Sequence, residues 1–270
     1  MTLSEALTAA RQRIDRLDAR LLLEYATGCS HADLLAHPET PVIAPACAQF
    51  MAWVERRAAG EPLAYLVGEA EFRGRIFQVS PEVLIPRPET EVLVDLALEK
   101  LHGLEAPSIL DLGTGSGIVA VSLALECPSA AVVAVDLSER AISIARNNAG
   151  RLGATVDFRC GDWYAPVAGQ RFDLIVANPP YVAAGDPHLT RDGLPFEPQS
   201  ALTDGGDGLS CIRAIVGGAA AHLNPGGWLL FEHGWDQGPA ARNLLAGAAF
   251  QAPFTRPDLA GIDRVSGAQL

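Results

Sequence analysis

The first 65 residues or so carry apolar side chains at the spacing of amphipathic helices. Residues 2–5 have the form of a capping box that begins a helix, and apolar residues then recur every three or four positions as far as Leu22. A second short helix is expected from Ser30, and a third over residues 45–59 with Gly60 as its stop signal. The pattern predicts a small helical bundle at the start of the chain.

The apolar spacing changes after this bundle. Residues 71–79 alternate in character around Gly74, which predicts a β-hairpin. Residues 84–91 then form a proline-stiffened turn into a helix that ends near Gly103. Arg87 lies between two prolines of this turn, where it is either a placed functional group or an ordinary loop charge.

From residue 108 onward, short apolar runs alternate with helical patterns. Such alternation is typical of βαβ units and predicts an α/β fold with a doubly wound, parallel, Rossmann-like sheet. The predicted strands are residues 109–112, 131–135, 156–160, 172–177 and 227–232, and the predicted helices are residues 118–125, 141–149, 209–223 and 239–249.

Composition limits the classes of function. A net charge of −12 and a pI near 4.9 oppose general binding to nucleic acid, which depends on Lys and Arg contacts to phosphates. The arginines at positions 11, 13, 16 and 20 alternate with acidic residues, which indicates a solvated helix face. The five cysteines and six histidines are dispersed, so we expect reduced thiols, no metal site and a cytoplasmic location. No signal peptide or membrane-spanning run is expected.

A glycine-rich turn follows the first predicted strand of the sheet and opens a helix. Its sequence is Asp111-Leu112-Gly113-Thr114-Gly115-Ser116-Gly117, in which the glycines let the backbone approach a ligand closely. Residue 118 is Ile, so the dinucleotide pattern Gly-x-Gly-x-x-Gly is not met and NAD is disfavoured.

Acidic residues follow the next two predicted strands. Asp136 lies about 20 residues beyond the glycine turn, where a carboxylate accepts hydrogen bonds from ribose hydroxyls. Asp162 and Trp163 follow the third strand and suit the amino group and the ring face of an adenine. With an amino-acid tail over the glycine turn, these residues predict S-adenosyl-L-methionine as the cofactor and S-adenosyl-L-homocysteine as its product.

The strand at residues 172–177 ends in Asn178-Pro179-Pro180-Tyr181. The prolines hold the chain extended and remove two backbone donors, which leaves the Asn178 side-chain oxygen and the Pro179 carbonyl as acceptors, with Tyr181 as a wall. Such a rim suits a planar –NH2 group, so we assign catalysis to Asn178, Pro179 and Tyr181. Because the first and fourth strands end at the same crevice, Asn178 is also expected to adjoin the cofactor. The alternative is that this tetrapeptide only terminates the strand.

These motifs resemble the glutamine N(5)-methyltransferases that modify class-I peptide chain release factors. Asn-Pro-Pro-Tyr is shared with nucleic-acid amino-methyltransferases, whereas residues 84–91 and Phe196-Glu197-Pro198 are much more specific. The resemblance covers nearly the whole chain, through residues 62–65, 68–69, 71–72, 84–91, 111–117, 136, 162–163, 178–181, 186–189, 196–198, 204–208 and 232–235.

The resemblance implies methylation of the glutamine in a Gly-Gly-Gln motif of release factors, in support of translation termination. It implies a helical docking domain over residues 1–70, a β-hairpin linker over 71–86, a methyltransferase domain over 87–270, and a monomer. Residues 263–265 match the start of the family's last strand, but residues 266–270 are less apolar than is usual there, which leaves this edge strand in doubt. The implied substrate-binding residues are Arg87, Asn178, Pro179, Pro180, Tyr181, Phe196 and Glu197.

Three alternatives stay open. A related family of glutamine methyltransferases acts on a ribosomal protein, but it tends to have His-Glu-Pro where this chain has Phe196-Glu197-Pro198. A nucleic-acid amino-methyltransferase would flip a base against Tyr181, and the net charge of −12 disfavours it. A cofactor-binding module without turnover is disfavoured by the intact acceptor rim.

Overall fold

The computed structural model describes residues 1–191 and 193–270, and within them the first 69 residues contain five helices. The helices are α1 Leu3–Ala10, α2 Arg16–Thr27, α3 His31–Ala36, α4 Ala44–Ala58 and α5 Leu63–Val67. They bury an apolar core of their own, which includes Leu3, Leu22, Leu34, Phe50, Val54 and Leu66. The predicted helical bundle is confirmed, but its first helix is divided in two.

The division of the first predicted helix follows from the polar residues at its centre. The backbone N–H of Leu17 donates a hydrogen bond to Asp15 at 2.7 Å, which caps the start of α2. Ile14 still packs against the core of the bundle. The apolar spacing therefore continues across the break, and for this reason it did not reveal the break.

The chain divides into two compact units. The first comprises Met1–Glu69 with Thr190–Phe196, and the second comprises Ala70–Leu189 with Glu197–Leu270. The segment 190–196 belongs to the first unit although it lies far from the helices in sequence.

A two-stranded hairpin, β1 Glu69–Phe72 and β2 Arg75–Gln78, follows the helices. At its turn Arg73 and Gly74 have φ angles of 51° and 72°, as a tight two-residue hairpin turn requires. Phe72 and Phe77 are buried and meet edge to face, with ring centroids 6.3 Å apart. These two rings attach the hairpin to the core of the second unit.

The remaining strands are β3 Ser108–Leu112, β4 Ala131–Asp136, β5 Asp157–Cys160, β6 Phe172–Ala177, β7 Leu223–Glu232, β8 Gln251–Pro257 and β9 Asp263–Gln269. Among the described residues they form one seven-stranded sheet in the order β5-β4-β3-β6-β7-β9-β8. The first five strands in this order are parallel, whereas β9 is antiparallel to both β7 and β8. The predicted doubly wound α/β fold is confirmed, with an antiparallel end that the sequence pattern did not indicate.

Helices cover both faces of this sheet. They are α6 Glu91–Leu101, α7 Ile118–Glu126, α8 Glu139–Leu152, α9 Gln199–Leu202, α10 Ser210–His222 and α11 Gly238–Gly247. Alternate residues of β6 enter opposite cores: Leu174 and Val176 join the core with α6, α7 and α8, and Ile175 and Ala177 join the core with α10 and α11. Burial on both faces explains why β6 reads as a continuous apolar run.

The strand that the sequence left in doubt is present, but the expectation that it is an edge strand is wrong, since it lies inside the sheet between β7 and β8. Ser266, Gly267 and Ala268 are buried. A Cβ on Gly267 would lie 2.4 Å from Leu230 Cδ2 and 2.8 Å from the Leu229 carbonyl oxygen. The low apolar content of β9 therefore reflects close packing that only small side chains allow.

In the described part of the chain, none of the helices combines the length and the apolar character that crossing a membrane requires. The same residues contain no group of three or more His, Cys, Asp or Glu side chains that could hold a metal ion.

Candidate active site

The site lies where the strand order reverses. β3 pairs with β4 on one side and with β6 on the other, so the loops after these three strands leave the same edge of the sheet in different directions. A crevice at this position is the usual ligand site of an open α/β sheet. Here it is a cavity of about 450 Å³, within the range of small-molecule sites.

Most of the predicted cofactor residues line this cavity. The lining includes Asp111, Gly113, Thr114, Gly115, Ser116, Asp136, Asp162, Trp163 and Asn178. Gly117 lies outside the lining and has a packing role, since a Cβ there would come within 3.0 Å of Ala145 Cβ. The order of the predicted strands was thus enough to predict which side chains meet at this cavity.

The glycine turn forms a cradle at the floor of the cavity. Gly113 and Gly115 have φ angles of 75° and 55°, which favour glycine, and the Gly113 and Thr114 N–H groups donate to the Val135 carbonyl at 2.8 and 3.0 Å. A Cβ built on Gly113 or Gly115 would meet no protein atom within 4 Å. The backbone here therefore borders open space that a ligand can fill.

Asp111 is a buried carboxylate beside this cradle. It is 1% exposed and accepts a hydrogen bond from the Thr114 hydroxyl at 2.7 Å. Burial raises the pKa of Asp111 to about 7, although the hydrogen bonds from Thr114 and from the Ala120 backbone oppose the rise. Without a cationic partner, Asp111 is therefore partly protonated near neutral pH.

Asp136 has a structural role that the sequence did not reveal. Its Oδ2 accepts from the Gly115 N–H and its Oδ1 from the Ser138 N–H, both at 2.8 Å, so the carboxylate fastens the glycine turn. Each carboxylate oxygen has two lone pairs, and Asp136 lines the cavity, so the carboxylate can accept a further hydrogen bond from a ligand. Burial raises the pKa of Asp136, and these backbone hydrogen bonds oppose that effect.

Asp162 and Trp163 form the wall at the end of β5. The Gly161 N–H before them donates to the Asp136 carbonyl at 2.9 Å. A Cβ on Gly161 would lie 2.5 Å from Pro166 Cγ, so this turn requires glycine. Trp163 has an unusual φ of 39° and packs part of its ring against the core.

The four residues after β6 divide between the cavity and its support. Asn178 and Pro180 line the cavity, whereas Pro179 and Tyr181 are outside its lining. Asn178 Nδ2 donates to Thr90 Oγ1 at 3.2 Å, and the Tyr181 hydroxyl donates to Glu232 Oε1 at 2.9 Å. Burial, followed by the charge of Glu232, raises the pKa of Tyr181. The Tyr181 side chain is therefore neutral, and its hydrogen bond to Glu232 holds the ring in place.

Thr90 and Glu232 belong to the site and were given no role by the sequence reasoning. Thr90 ends a 3₁₀ turn, Pro88–Thr90, and Glu232 ends β7. The Thr90 hydroxyl donates to Glu232 Oε2 at 2.7 Å. Both residues lie within segments that resemble the methyltransferase family, which was the only signal that could have found them.

Arg87 and Glu197, predicted to bind substrate, contact each other. Glu197 is 4% exposed, and its Oε2 accepts from the Ile85 N–H at 3.0 Å while its Oε1 accepts from the Arg87 guanidinium. Glu197 thus fixes the turn that brings Arg87 to the cavity wall. Phe196 belongs to the other compact unit, where it is 38% exposed. The predicted substrate contacts of these three residues remain predictions.

Gln237 connects three loops at the edge of the site. Its Nε2 donates to the carbonyls of Tyr181 and Gly208, at 3.0 and 3.3 Å, and its Oε1 accepts from the Gly234 N–H at 2.9 Å. The loop that holds Gly208 is itself ordered by Asp204. Burial alone would raise the pKa of Asp204. Hydrogen bonds from Ser210 and the loop backbone have the larger combined effect and lower the pKa of Asp204 to about 2.

Two known domain families match the chain. The PrmC N-terminal domain matches residues 2–68, and the methyltransferase small domain matches residues 89–209. Among solved structures, the catalytic domain of hMettl16 in complex with the MAT2A 3′UTR hairpin 6 has a TM-score of 0.57 and 14% identity, over 83% of this chain and 81% of that one.

A second solved structure is the 16S rRNA N2 G1207 methyltransferase of T. thermophilus, in complex with AdoMet and guanosine. Its TM-score is 0.55 and its identity 24%, over 74% of this chain and 49% of that one. At these identities the two structures show that the fold is that of a methyltransferase.

Relatives that match over nearly the whole chain identify the family, which the two solved structures do not. The release factor glutamine methyltransferase of Bordetella pertussis is 52% identical over 95% of this chain and 96% of its own length. The Xylella fastidiosa enzyme is 51% identical over 96% of this chain and 95% of its own length. The Vibrio cholerae enzyme is 43% identical over 98% of this chain and 96% of its own length. Identity at this level, over almost the whole of both chains, shows that the protein belongs to the release factor glutamine methyltransferase family.

Proposed function

We propose that the protein transfers a methyl group from S-adenosylmethionine to the side-chain amide nitrogen of the glutamine in the Gly-Gly-Gln motif of class-I peptide chain release factors. The observation that carries the proposal is the position of Asn178 on the wall of the same cavity that holds the glycine cradle. A cofactor on the cradle and an amide at Asn178 would therefore meet in one space.

The residues of the cavity fit S-adenosylmethionine. The open cradle at Gly113 and Gly115 would receive the amino-acid tail, the Asp136 carboxylate would accept hydrogen bonds from the ribose hydroxyls, and Asp162 with Trp163 would receive the adenine. When bound, the cofactor supplies an electrophilic methyl group, whose bond to sulfur breaks with the electron pair left on S-adenosylhomocysteine as the bond to nitrogen forms.

The acceptor rim addresses the poor nucleophilicity of an amide. An amide nitrogen shares its lone pair with the carbonyl, so it needs to gain electron density. Asn178 Oδ1 and the Pro179 carbonyl would each accept a hydrogen bond from one N–H group of the substrate amide, which would turn the nitrogen lone pair toward the cofactor. Holding both reactants together supplies much of the remaining acceleration. The methylated nitrogen is strongly acidic until it loses its proton to solvent, so the site requires no tuned base.

We assign docking of the release factor to the helical domain over residues 1–70, connected through the hairpin at 71–86 to the methyltransferase domain at 87–270. The support is the independent apolar core of the bundle, since the residues that form that core take no part in lining the cavity. A folded protein substrate needs contacts beyond one glutamine side chain, and a separate domain can provide them.

A methyl-transfer assay with labelled S-adenosylmethionine tests the function. Purified release factor should be labelled, and the same factor with its Gly-Gly-Gln glutamine changed to alanine should not. Ribosomal protein, duplex DNA and ribosomal RNA serve as competing acceptors. Labelling of one of these in place of the release factor would overturn the proposal in favour of the corresponding alternative.

A further inference from the structure

Thr90 lies between the Asn178 amide and a buried carboxylate. Asn178 Nδ2 is 3.2 Å from Thr90 Oγ1, and Thr90 Oγ1 is 2.7 Å from Glu232 Oε2. The second oxygen of Glu232 accepts from the Tyr181 hydroxyl at 2.9 Å. Thr90 and Glu232 are 0% and 1% exposed, so water does not compete for these hydrogen bonds.

Glu232 determines the direction of each hydrogen bond in this chain of four residues. An ionised carboxylate has only acceptor atoms, so both hydroxyl groups donate to it. A threonine hydroxyl has a single hydrogen, so Thr90 Oγ1 offers only lone pairs to Asn178. The part of Asn178 that faces Thr90 is therefore its NH2 group, and Oδ1 is turned away from Thr90.

Three neighbours of Glu232 favour its ionised form. Burial, which is the largest effect, and the negative charge of Glu89 raise the pKa of Glu232, whereas the hydrogen bonds from Thr90 and Tyr181 and the positive charge of Arg264 oppose the rise. Arg264 is in turn paired with Asp258 at 3.3 Å. In the ionised form each oxygen of Glu232 receives one hydroxyl hydrogen, so both buried hydroxyl groups have an acceptor.

The orientation of the Asn178 amide matters because a half-turn about its last torsion exchanges oxygen and nitrogen, and the two positions have nearly equal intrinsic energy. In the reversed orientation an N–H group would face the N–H groups of an acceptor amide, and a hydrogen bond would be replaced by repulsion. The side chain of asparagine contains nothing that prevents this reversal, so a neighbouring group has to do so.

We propose that Thr90, ordered by Glu232, is a positioning residue that holds the Asn178 amide with Oδ1 toward the acceptor nitrogen. The proposal rests on the proposed transfer of a methyl group to a glutamine amide. It assigns Thr90, which also lines the cavity, no contact with the reacting atoms, and it explains why a hydroxyl residue and a buried acid from distant parts of the chain meet beside Asn178.

The test compares Thr90→Val, which keeps the shape and removes the hydroxyl, with Thr90→Ser, which keeps the hydroxyl. Single-turnover methyl transfer to purified release factor is measured at saturating S-adenosylmethionine. Thr90→Val should lower the rate about 10-fold, the effect of one hydrogen bond, and Thr90→Ser should stay within about twofold of wild type. Cofactor affinity, measured by calorimetry, should be unchanged in both. Equal losses in both variants, or a wild-type rate in Thr90→Val, would overturn the proposal.

The Asn178→Asp background separates orientation from structural support. The two carboxylate oxygens of Asp are equivalent, so a reversal changes nothing, and Thr90→Val should not cause the 10-fold loss in this background. The same 10-fold loss in both backgrounds would show that Thr90 only supports the fold. Failure of the wild-type enzyme to label the release factor would instead contradict the proposed function.

A measurement on the wild-type protein covers the case in which Thr90→Val does not fold. In nitrogen-15-labelled protein, the Asn178 side-chain NH2 hydrogens should show a nuclear Overhauser contact to the Thr90 side chain. If those hydrogens show contacts only to groups on the cavity side, the amide has the opposite orientation and the proposal is wrong.

Discussion

The backbone of Gly208 lies directly against the carbonyl oxygen of Tyr181. A Cβ on Gly208 would be 2.3 Å from that oxygen and 2.8 Å from Nε2 of Gln237, the side chain that bonds the same carbonyl. Gly208 also has a φ of 78°, which L-residues with a side chain rarely adopt. The loop that contains Gly208 thus limits where the end of the Asn-Pro-Pro-Tyr segment can lie.

Gly208→Ala should therefore disturb the site, and Gly205→Ala in the same loop is its matched control. Gly205 has nearly the same φ, 73°, but a Cβ there would meet no atom within 4 Å. Gly205→Ala should cost only the left-handed backbone strain, about 1–2 kcal/mol. Gly208→Ala should cost a further 1–3 kcal/mol or so from overpacking and should also slow methyl transfer. Urea unfolding and single-turnover rates would check this, and equal effects of the two substitutions would contradict it.

Asn178→Ala should lower single-turnover methyl transfer about 100- to 1,000-fold, because it removes one preorganised acceptor of the reacting amide. Asn178→Asp keeps an acceptor of similar shape and should retain more activity than alanine. Cofactor affinity, measured separately, controls for loss of binding. If the alanine variant reaches the wild-type rate, the segment is only a strand terminator.

Asp136→Ala should weaken S-adenosylmethionine binding by roughly 1.5–3 kcal/mol for each charged hydrogen bond lost. Because Asp136 also holds the Gly115 and Ser138 N–H groups, alanine will lower the melting temperature as well. Ser138→Ala leaves the carboxylate in place and serves as the control for local loosening. Calorimetric titration measures the affinity, and an unchanged dissociation constant would reduce Asp136 to a structural cap.

Asp111 should make the free protein less stable as pH rises from about 4 to about 7. Its folded pKa is raised from 3.8 to about 7, so over this range the folded state holds a proton that the unfolded state has lost. The free energy of unfolding then falls by about 1.4 kcal/mol per pH unit, or by about 2–3 kcal/mol between pH 5 and 7, and it falls little further above pH 7. Asp111→Asn should lack this slope. Urea unfolding of both proteins at several pH values is the measurement, and parallel curves would refute the assignment.

Removal of residues 1–69 should leave cofactor binding nearly intact and abolish methylation of the folded release factor. The core of this segment is formed by residues 3–67, and the glycine cradle and Asn178 belong to the other unit. A short peptide that contains Gly-Gly-Gln, which needs no docking surface, should be methylated at equal rates by both forms. If the truncated protein methylates the folded factor at the full-length rate, the bundle has another role.

The sequence predicted the cavity lining at the ends of β3, β4 and β5 better than the surroundings of Asn178. Asp111 lies near the end of β3, Asp136 ends β4 and Asp162 follows β5, so the order of strands was enough to place them at one edge. Thr90 and Glu232 are separated by 142 positions and meet only because β7 lies beside β6, an order that periodicity does not determine. The strand β8 was missed because two prolines interrupt its pattern, and β9 was left in doubt because its residues are small.

The insertion of β9 between β7 and β8 has a consequence for how the protein is made. A chain leaves the ribosome from its N-terminus, so β8 emerges before the strand that will join it to the sheet. Until residues 263–269 follow, both β7 and β8 expose unpaired backbone edges, which are sites where one nascent chain can pair with another. Glu232 is opposite Val265 in the final register, so the carboxylate that accepts from Thr90 and Tyr181 gains its backbone neighbour only when β9 joins the sheet. The sheet edge that carries Glu232 is thus completed only after residues 263–269 have been synthesised.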